Sequence, residues 1–103
     1  MFEILHSAMQ RDQVRFVDDG FFMFADRGDF VTSTAFFAMK PSAAHIMVAD
    51  IEKIANGRPI RISLNKADEL EARALESSGF VVVEEKGQLN YWVKGDLHAA
   101  RDA

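Results

Sequence analysis

The residues that could do acid–base or metal chemistry are few and scattered along this chain of 103 residues. Asp18 and Asp19 form a pair of carboxylates, which proton transfer or a metal ion could use. They precede Gly20, however, and a tight turn selects the same three residue types, so we interpret them as a turn. The three histidines share no metal-ligand spacing with an acidic partner: His6, His45 and His98. The sequence therefore predicts no metal site.

Tyr91 is the one tyrosine of the chain and the remaining candidate for proton transfer. It stands beside Trp92 in a predicted strand, where a tyrosine more often packs its ring and leaves its hydroxyl at the edge. We therefore interpret Tyr91 as a packing residue. The chain has no cysteine, which excludes thiolate catalysis, cysteine-zinc sites and disulfides. The sequence predicts no catalytic residue.

Length and charge narrow the classes of protein further. The chain is long enough for one small core, so we predict a single domain over residues 1–103, with residues 96–103 as a polar tail. A net charge of −4 without a basic run predicts no binding to nucleic acid or to anionic membranes. No apolar run approaches the roughly 20 residues of a membrane span, and Glu3 argues against a signal peptide. These features predict a cytoplasmic protein.

Phenylalanine organises the first half of the chain. The segments Phe21–Phe24 and Phe36–Phe37 place aromatic side chains on both faces of their strands, since successive side chains point in opposite directions. We predict three strands here, near residues 13–18, 20–26 and 30–39. The first 10 residues are predicted to form another strand or a short helix. Only two helices are available to cover this sheet, so either they lie on opposite faces or one face is left for a partner.

The first of these helices is predicted to follow Pro41, with Ser42 as its N-cap. Apolar residues then recur at the spacing of one helical face: Ala44, Met47, Val48, Ile51, Ile54 and Ala55. Asn56 and Gly57 are predicted to close the helix, because both residue types accept the left-handed conformation at a helix end.

Residues 59–94 carry a boundary signal for each of their elements. Apolar and polar side chains alternate over Ile60–Leu64, the pattern of a strand with one buried face. Asn65 is the predicted N-cap of a second helix, and Asp68 opposes the helix dipole three residues later. Gly79 supplies a left-handed residue at the helix end.

The second helix is predicted to turn a stripe of small residues toward the sheet and charged residues toward solvent. The stripe consists of Ala67, Leu70, Ala74 and Ser78. The solvated face consists of Glu69, Glu71, Arg73 and Glu76. Two strands, Phe80–Glu85 and Leu89–Lys94, follow around a turn at residues 86–88.

The run from Asp68 to Phe80 resembles the C-terminal half of the GNAT-type acyltransferase superfamily. In that superfamily a strand feeds a helix that ends in a Gly-Phe pair, and a hairpin follows; here Phe80–Glu85 is the strand after the pair. The resemblance implies an α+β or α/β fold with a mixed, mostly antiparallel sheet and two helices. The implied order of elements is βββ-α-β-α-ββ.

The same resemblance implies a cofactor site that these residues do not supply. The superfamily holds the pyrophosphate of acetyl-CoA on a loop written Arg/Gln-x-x-Gly-x-Gly/Ala, whose amides form a nest at a helix start. The matching residues 40–47 contain no glycine and no arginine, and Pro41 has no amide. The tyrosine that often protonates the leaving thiolate is replaced by Leu75. We therefore predict no cofactor, no cofactor-binding residue and no measurable binding of acetyl-CoA.

The leading hypothesis is a non-catalytic GNAT-like structural or interaction protein. In pattern the chain is most similar to small GNAT-like proteins of short-tailed bacteriophages, with residues 30–33 in the hairpin and Ile60–Asn65 leading into the second helix. This similarity predicts a virion or assembly component, in the host cytoplasm or the virion. The Phe-rich hairpin predicts a protein partner or self-association through its apolar face.

Two alternatives stay open. One is an acetyl-CoA-dependent N-acyltransferase with an unconventional cofactor site. In such enzymes the acyl carbonyl and the pantetheine pair with the backbone of the strand before the loop, which here is Ala35–Met39. The other is a small regulator that binds another protein through the exposed face of the sheet. Titration with acetyl-CoA separates the enzyme from the other two.

Overall fold

A computed structural model describes residues 13–95. The predictions for the first 10 residues, His6, His98 and the tail over residues 96–103 lie outside the described residues. The described residues form six strands and two helices in the predicted order: β1 (Gln13–Val17), β2 (Gly20–Asp26), β3 (Val31–Ala38), α1 (Pro41–Ala55), β4 (Ile60–Asn65), α2 (Glu69–Ser77), β5 (Val81–Lys86) and β6 (Leu89–Lys94). The predicted βββ-α-β-α-ββ order is confirmed.

The six strands form one mixed sheet in the order β1-β2-β3-β4-β6-β5. Every neighbouring pair is antiparallel except β3 and β4, which are parallel and are joined through α1. The final hairpin joins the sheet through β6, which pairs with β4 along the whole of Ile60–Asn65. The predicted connection of this hairpin to β4 through the second helix is therefore confirmed.

Both helices lie on the same face of the sheet and contact each other, which excludes the predicted arrangement with the helices on opposite faces. The strand residues buried under the helices form the core with the inner faces of α1 and α2; the larger ones are Phe22, Phe24, Val31, Phe36, Ile60, Ile62, Leu64 and Trp92. Phe16 and Phe37 stand on the opposite face, where 78% and 48% of their surfaces are exposed. In the part of the chain that the structure describes, no helix is long and apolar enough to cross a membrane.

The N-caps of the two helices differ from the predicted ones by two and three residues. Lys40, not Ser42, is the N-cap of α1, because Pro41 occupies the first helical position, where its fixed φ fits and its missing N–H leaves no bond unmade. Asp68, not Asn65, is the N-cap of α2. Asn65 ends β4 and turns the chain instead, since its Oδ1 accepts a hydrogen bond of 2.9 Å from the N–H of Ala67.

The helix ends agree with the prediction. Asn56 closes α1 in the left-handed conformation, with φ 52°, and its N–H donates to the carbonyl oxygen of Glu52. Gly79 follows α2 with φ 96°, a conformation that few residues other than glycine adopt. The buried residues of α2 are Glu71, Ala74 and Leu75. Of the predicted small-residue stripe, Ala74 is buried and Leu70 packs against the core, whereas Glu71 and Leu75 were not predicted to face it.

Arg58 ties the end of α1 to the β2–β3 hairpin. Its Nε and Nη2 donate to the carbonyl oxygens of Ala55 and Ile54, at 2.7 and 2.9 Å. Its Nη1 donates to the carbonyl oxygen of Gly28 at 2.8 Å, and Nη1 and Nη2 together bind the two carboxylate oxygens of Asp26 at 2.6 and 3.0 Å. We refer to Arg58 and these partners as the Arg58 clamp.

Candidate functional site

The strands β3 and β4 separate after a short paired stretch. Their parallel pairing covers only Val31–Ser33 against Ile60–Ile62, whereas β3 continues to Ala38 and β4 to Asn65. The two strands therefore leave a gap between their carboxyl ends. Backbone N–H and C=O groups that lose a neighbouring strand need other partners, so a gap inside a sheet is a place where another group can bind.

Two backbone N–H groups of β3 point into this gap. The N–H of Met39 donates to the carbonyl oxygen of Asp19, on the side of β2, at 2.8 Å. Because N–H directions alternate along a strand, those of Phe36 and Ala38 point to the other side, toward β4. The N–H of Ala38 meets the Oε2 of Glu71 there, at 2.9 Å.

Glu71 is the residue that the sequence placed wrongly. It was predicted on the solvated face of the second helix, but only 4% of its surface is exposed, and it reaches from α2 across to β3. Its spacing contained the signal, since Glu71 stands three and four residues before the buried Ala74 and Leu75 and so shares their helical face.

A cleft of about 420 Å³ lies between α1 and α2 at the same end of the sheet. Its lining residues come from the starts of both helices: Pro41, His45, Glu69, Leu70, Arg73 and Ala74. Arg73 supplies a guanidinium group and His45 an imidazole, which are groups that bind phosphate. The N–H groups of Ser42 and Ala43 belong to the first turn of α1, where the helix has no acceptor for them.

The strand Ala35–Met39, predicted from the sequence as the pairing strand of an unconventional cofactor site, borders this gap. The side chains that the sequence singled out as catalytic or metal-binding candidates are dispersed. Leu75 is completely buried in the core, so the position of the expected tyrosine does not face the cleft. Asp19 adopts φ 67° in a two-residue turn and pairs with Lys40 at 3.2 Å, which confirms the turn. Within residues 13–95, no group of histidine and acidic residues could hold a metal ion.

Tyr91 lies on the face of the sheet opposite the helices, next to Ser63 of β4. The guanidinium carbon of Arg61 stands 4.6 Å from the centre of the Tyr91 ring, a cation–π distance. Arg61 also meets the carboxylate of Glu84, with 3.5 Å between Nη2 and Oε1. This contact gives the ring a packing partner.

The aromatic side chains on that face form a row across three strands. The ring centres of Phe16 and Phe21 are 6.1 Å apart, and those of Phe21 and Phe37 are 5.9 Å apart. We refer to Phe16, Phe21 and Phe37 as the aromatic row. Its two outer members are the exposed ones.

No known protein-family model matches the chain, and no curated protein sequence matches it. Several solved structures have a similar fold. The chain is similar to the PaiA N-acetyltransferase from Thermoplasma acidophilum in complex with coenzyme A, with a TM-score of 0.69 and 15% identity over 92% of this chain and 68% of that one. It is also similar to a putative GNAT-family acetyltransferase from Bacteroides thetaiotaomicron, with a TM-score of 0.62 and 19% identity over 99% of this chain and 73% of that one.

A third similar structure is the anti-CRISPR protein AcrVA5, with a TM-score of 0.52 and 18% identity over 79% of this chain and 97% of that one. These likenesses confirm the GNAT-like α+β fold: a mixed six-stranded sheet with two helices. They do not support the finer resemblance to proteins of short-tailed bacteriophages, nor a place in a virion.

The expectation of a non-catalytic protein without a cofactor is contradicted by these comparisons. Two of the similar proteins are described as acetyltransferases, and the structure of one of them contains coenzyme A. The expectation rested on the missing glycines of residues 40–47 and on Leu75. Both features concern side chains, whereas the gap between β3 and β4 and the cleft beside it are formed by the course of the backbone.

Proposed function

We propose that this chain is an acyl-CoA-dependent N-acyltransferase. The observation that carries the proposal is the gap between β3 and β4, into which the N–H groups of Phe36 and Ala38 point, directly beside the cleft between the starts of α1 and α2. The likeness of the fold to acetyltransferases, one of them in complex with coenzyme A, supports the same function.

The gap suits the acyl and pantetheine part of the donor. A pantetheine arm carries amide groups, and it can pair with an open strand edge as a short additional strand would. Because this pairing uses the backbone of Ala35–Met39, it does not depend on the side chains there. The absence of a family sequence motif in residues 40–47 therefore does not remove this half of the site.

The cleft suits the phosphate part of the donor. Arg73 and His45 line it, and the N–H groups of Ser42 and Ala43 stand at the start of α1. An anion at a helix start is stabilised by such amides and by the helix dipole. Without glycines the backbone is approached less closely, so we expect Arg73 to supply a larger share of the affinity than it would beside a glycine-rich loop.

The transfer itself needs little more than this arrangement. The amine of an acceptor attacks the thioester carbonyl, the C–N bond forms and the C–S bond breaks. The N–H of Phe36 points into the gap and can donate to the oxyanion that develops. Electrostatic stabilisation of this kind is usually the largest single contribution to the rate. The amine loses its proton to water and the thiolate takes one from water, since Leu75 cannot supply it.

We also propose that the aromatic row contacts a protein partner or a second copy of the chain. Phe16 is 78% exposed and Phe37 48%, and a contiguous exposed aromatic surface is typical of an interface. Sedimentation of the wild type and of Phe16→Ser over a range of concentrations tests this contact. We expect the wild type to self-associate more strongly than the variant, and identical monomers would contradict self-association.

Thermal unfolding with and without acetyl-CoA tests donor binding. At a hundred times its dissociation constant, the ligand should stabilise the protein by about 2.7 kcal/mol. Arg73→Ala should weaken this effect, whereas Arg27→Ala makes the same charge change in the distant β2–β3 hairpin and should leave it unchanged. If both variants reduced the stabilisation by acetyl-CoA equally, the effect would reflect the net charge of the protein and not a binding site at Arg73.

Release of free thiol from acetyl-CoA in the presence of a panel of amines and N-terminal peptides tests the transfer. We expect at least one acceptor to accelerate thiol release above the rate without protein. Binding of acetyl-CoA without acceleration by any acceptor would leave a donor-binding protein and contradict the acyltransferase.

A further inference from the structure

We propose that Glu71 is an internal competitor for the acyl-donor site. This inference rests on the proposed function. In the free protein the Glu71 carboxylate accepts the hydrogen bond of the Ala38 N–H. An acyl-CoA molecule that pairs with β3 must displace it. Glu71 thereby makes donor binding dependent on a rearrangement of the first turns of α2.

The geometry places Glu71 in the position of a ligand. Its Oε2 accepts the hydrogen bond of Ala38 at 2.9 Å, in a buried place between the two separated strands. A carbonyl oxygen of a donor arm that paired with β3 would need the same N–H. A single N–H cannot serve both acceptors well, so their occupancies exclude each other.

The bond that holds Glu71 there is one that a ligand can replace. A buried carboxylate is stable when it is paired with a cation, but Glu71 makes no ion pair with any residue of 13–95. Moving Glu71 into water restores its hydration, and the ligand carbonyl then satisfies Ala38. The exchange therefore leaves no buried group without a partner.

The start of α2 is suited to such a movement. The helix has nine residues, and its N-cap residue, Asp68, makes no side-chain capping bond to the first turn. Glu69 and Leu70, which precede Glu71, already line the cleft. A short helix with an uncapped start opens locally at lower free energy than a long, capped one.

The competition predicts a selective effect on affinity. If only a fraction of the molecules has Glu71 displaced, the apparent affinity for a donor is lower than the intrinsic affinity by that fraction. Adenosine 3′,5′-bisphosphate resembles the nucleotide end of coenzyme A and has no pantetheine arm. It does not need the N–H of Ala38, so its binding should be independent of Glu71.

Calorimetric titration of four proteins tests the inference: wild type, Glu71→Ala, Glu71→Gln and the control Glu76→Ala. The control removes the same charge from the exposed side of the same helix. We expect Glu71→Ala to bind acetyl-CoA about tenfold more tightly than Glu76→Ala does, the effect of one hydrogen bond to a charged group. Glu71→Gln should show a smaller gain, because its amide oxygen still competes for Ala38. All four should bind adenosine 3′,5′-bisphosphate alike.

Hydrogen exchange of the Ala38 amide gives a second readout that needs no ligand. We expect this amide to exchange faster in Glu71→Ala than in Glu76→Ala, with both variants folded by circular dichroism. Equal acetyl-CoA affinities in Glu71→Ala and Glu76→Ala would overturn the competition while the proposed function stands. If none of the four proteins binds acetyl-CoA, both the proposed function and the competition are wrong. A change in Ala38 exchange would then show only that the hydrogen bond to Glu71 stabilises the fold.

Discussion

The parallel strands β3 and β4 are hydrogen-bonded to each other at one end and separated at the other. At the end where both strands begin, they are paired and the N–H of Val31 donates to the carbonyl oxygen of Pro59 at 2.9 Å. The Arg58 clamp adds five hydrogen bonds around this end. At the end where the strands finish, they separate, and the bond from Ala38 to Glu71 crosses between β3 and α2. We refer to the paired end of these two strands as the closed end and to the separated end as the open end.

This difference separates stability from binding within one small sheet. Each nitrogen of the Arg58 guanidinium donates to an oxygen at 2.6 to 3.0 Å. The closed end therefore offers a ligand few free hydrogen-bond donors. The open end leaves N–H groups of β3 facing a gap and a cleft beside them. A rigid closed end allows the other end to stay open without loss of the fold.

Removal of the clamp should have the largest effect on stability. We expect Arg58→Ala to lower the free energy of unfolding by about 2 to 3 kcal/mol, because it removes all five hydrogen bonds of the clamp and leaves Asp26 without its cation. The control is Arg61→Ala, which breaks an exposed pair at 3.5 Å and should lower it by less than about 1 kcal/mol. Urea denaturation measures both, and equal losses would contradict a special role of the closed end.

Substitution of Gly79 should have the next largest effect. Gly79 has φ 96°, and a Cβ there would meet only the side chain of Lys94, at 3.7 Å, so space is available and the strain lies in the backbone. We expect Gly79→Val to destabilise the protein by more than about 1 kcal/mol, and Gly79→Asn by less, since asparagine tolerates left-handed conformations better. Thermal unfolding would contradict the backbone explanation if the two variants were equally stable.

Acid should weaken the closed end selectively. Hydrogen bonds from Arg58 and from the N–H of Gly28 hold the pKa of Asp26 below its ordinary value of 3.8. A folded-state pKa below the unfolded one gives stability that is complete above the unfolded pKa and is lost as the pH falls through the folded pKa. We therefore expect the stability difference between the wild type and Asp26→Asn to shrink as the pH falls below about 4. A difference that stays constant as the pH falls well below about 4 would contradict this assignment.

Loss of the Tyr91 hydroxyl should have the smallest effect. Tyr91→Phe keeps the ring that Arg61 covers, and the proposed reaction takes its protons from water. We expect the rate of acyl transfer to stay within about twofold of the wild type, whereas loss of a general acid would lower it by about a hundredfold or more. A loss of that size would assign Tyr91 a catalytic role and extend the site to the other face of the sheet.

The fold was largely predictable because its boundaries depend on local residue types. Gly79 and Asn56 marked helix ends through their left-handed conformations, and alternation over Ile60–Leu64 marked a strand. The helix starts were less accurate, since Asn65 and Ser42 are good caps that the chain uses otherwise or not at all. More than one residue could serve as the N-cap at each helix start, and Pro41 or the turn at Asn65 determines which one does.

The candidate site was not predictable in the same way because its main features belong to the backbone in three dimensions. The separation of β3 from β4 has no residue signature in Ala35–Met39, and the sequence gives no sign of which N–H groups face the gap. Glu71 could have been recognised by its helical spacing with Leu75, but a glutamate among other acidic residues is usually solvated. Its partner, Ala38, lies 33 residues away in the chain.

The most direct test of donor binding in the gap between β3 and β4 is a titration of the isotopically labelled protein with acetyl-CoA, followed through its backbone amide resonances. We expect the signals of Phe36, Ala38 and the first turns of α1 and α2 to shift, while those of Val31 and Arg58 at the closed end stay in place. No shifts at saturating acetyl-CoA, or shifts centred on the closed end, would contradict it.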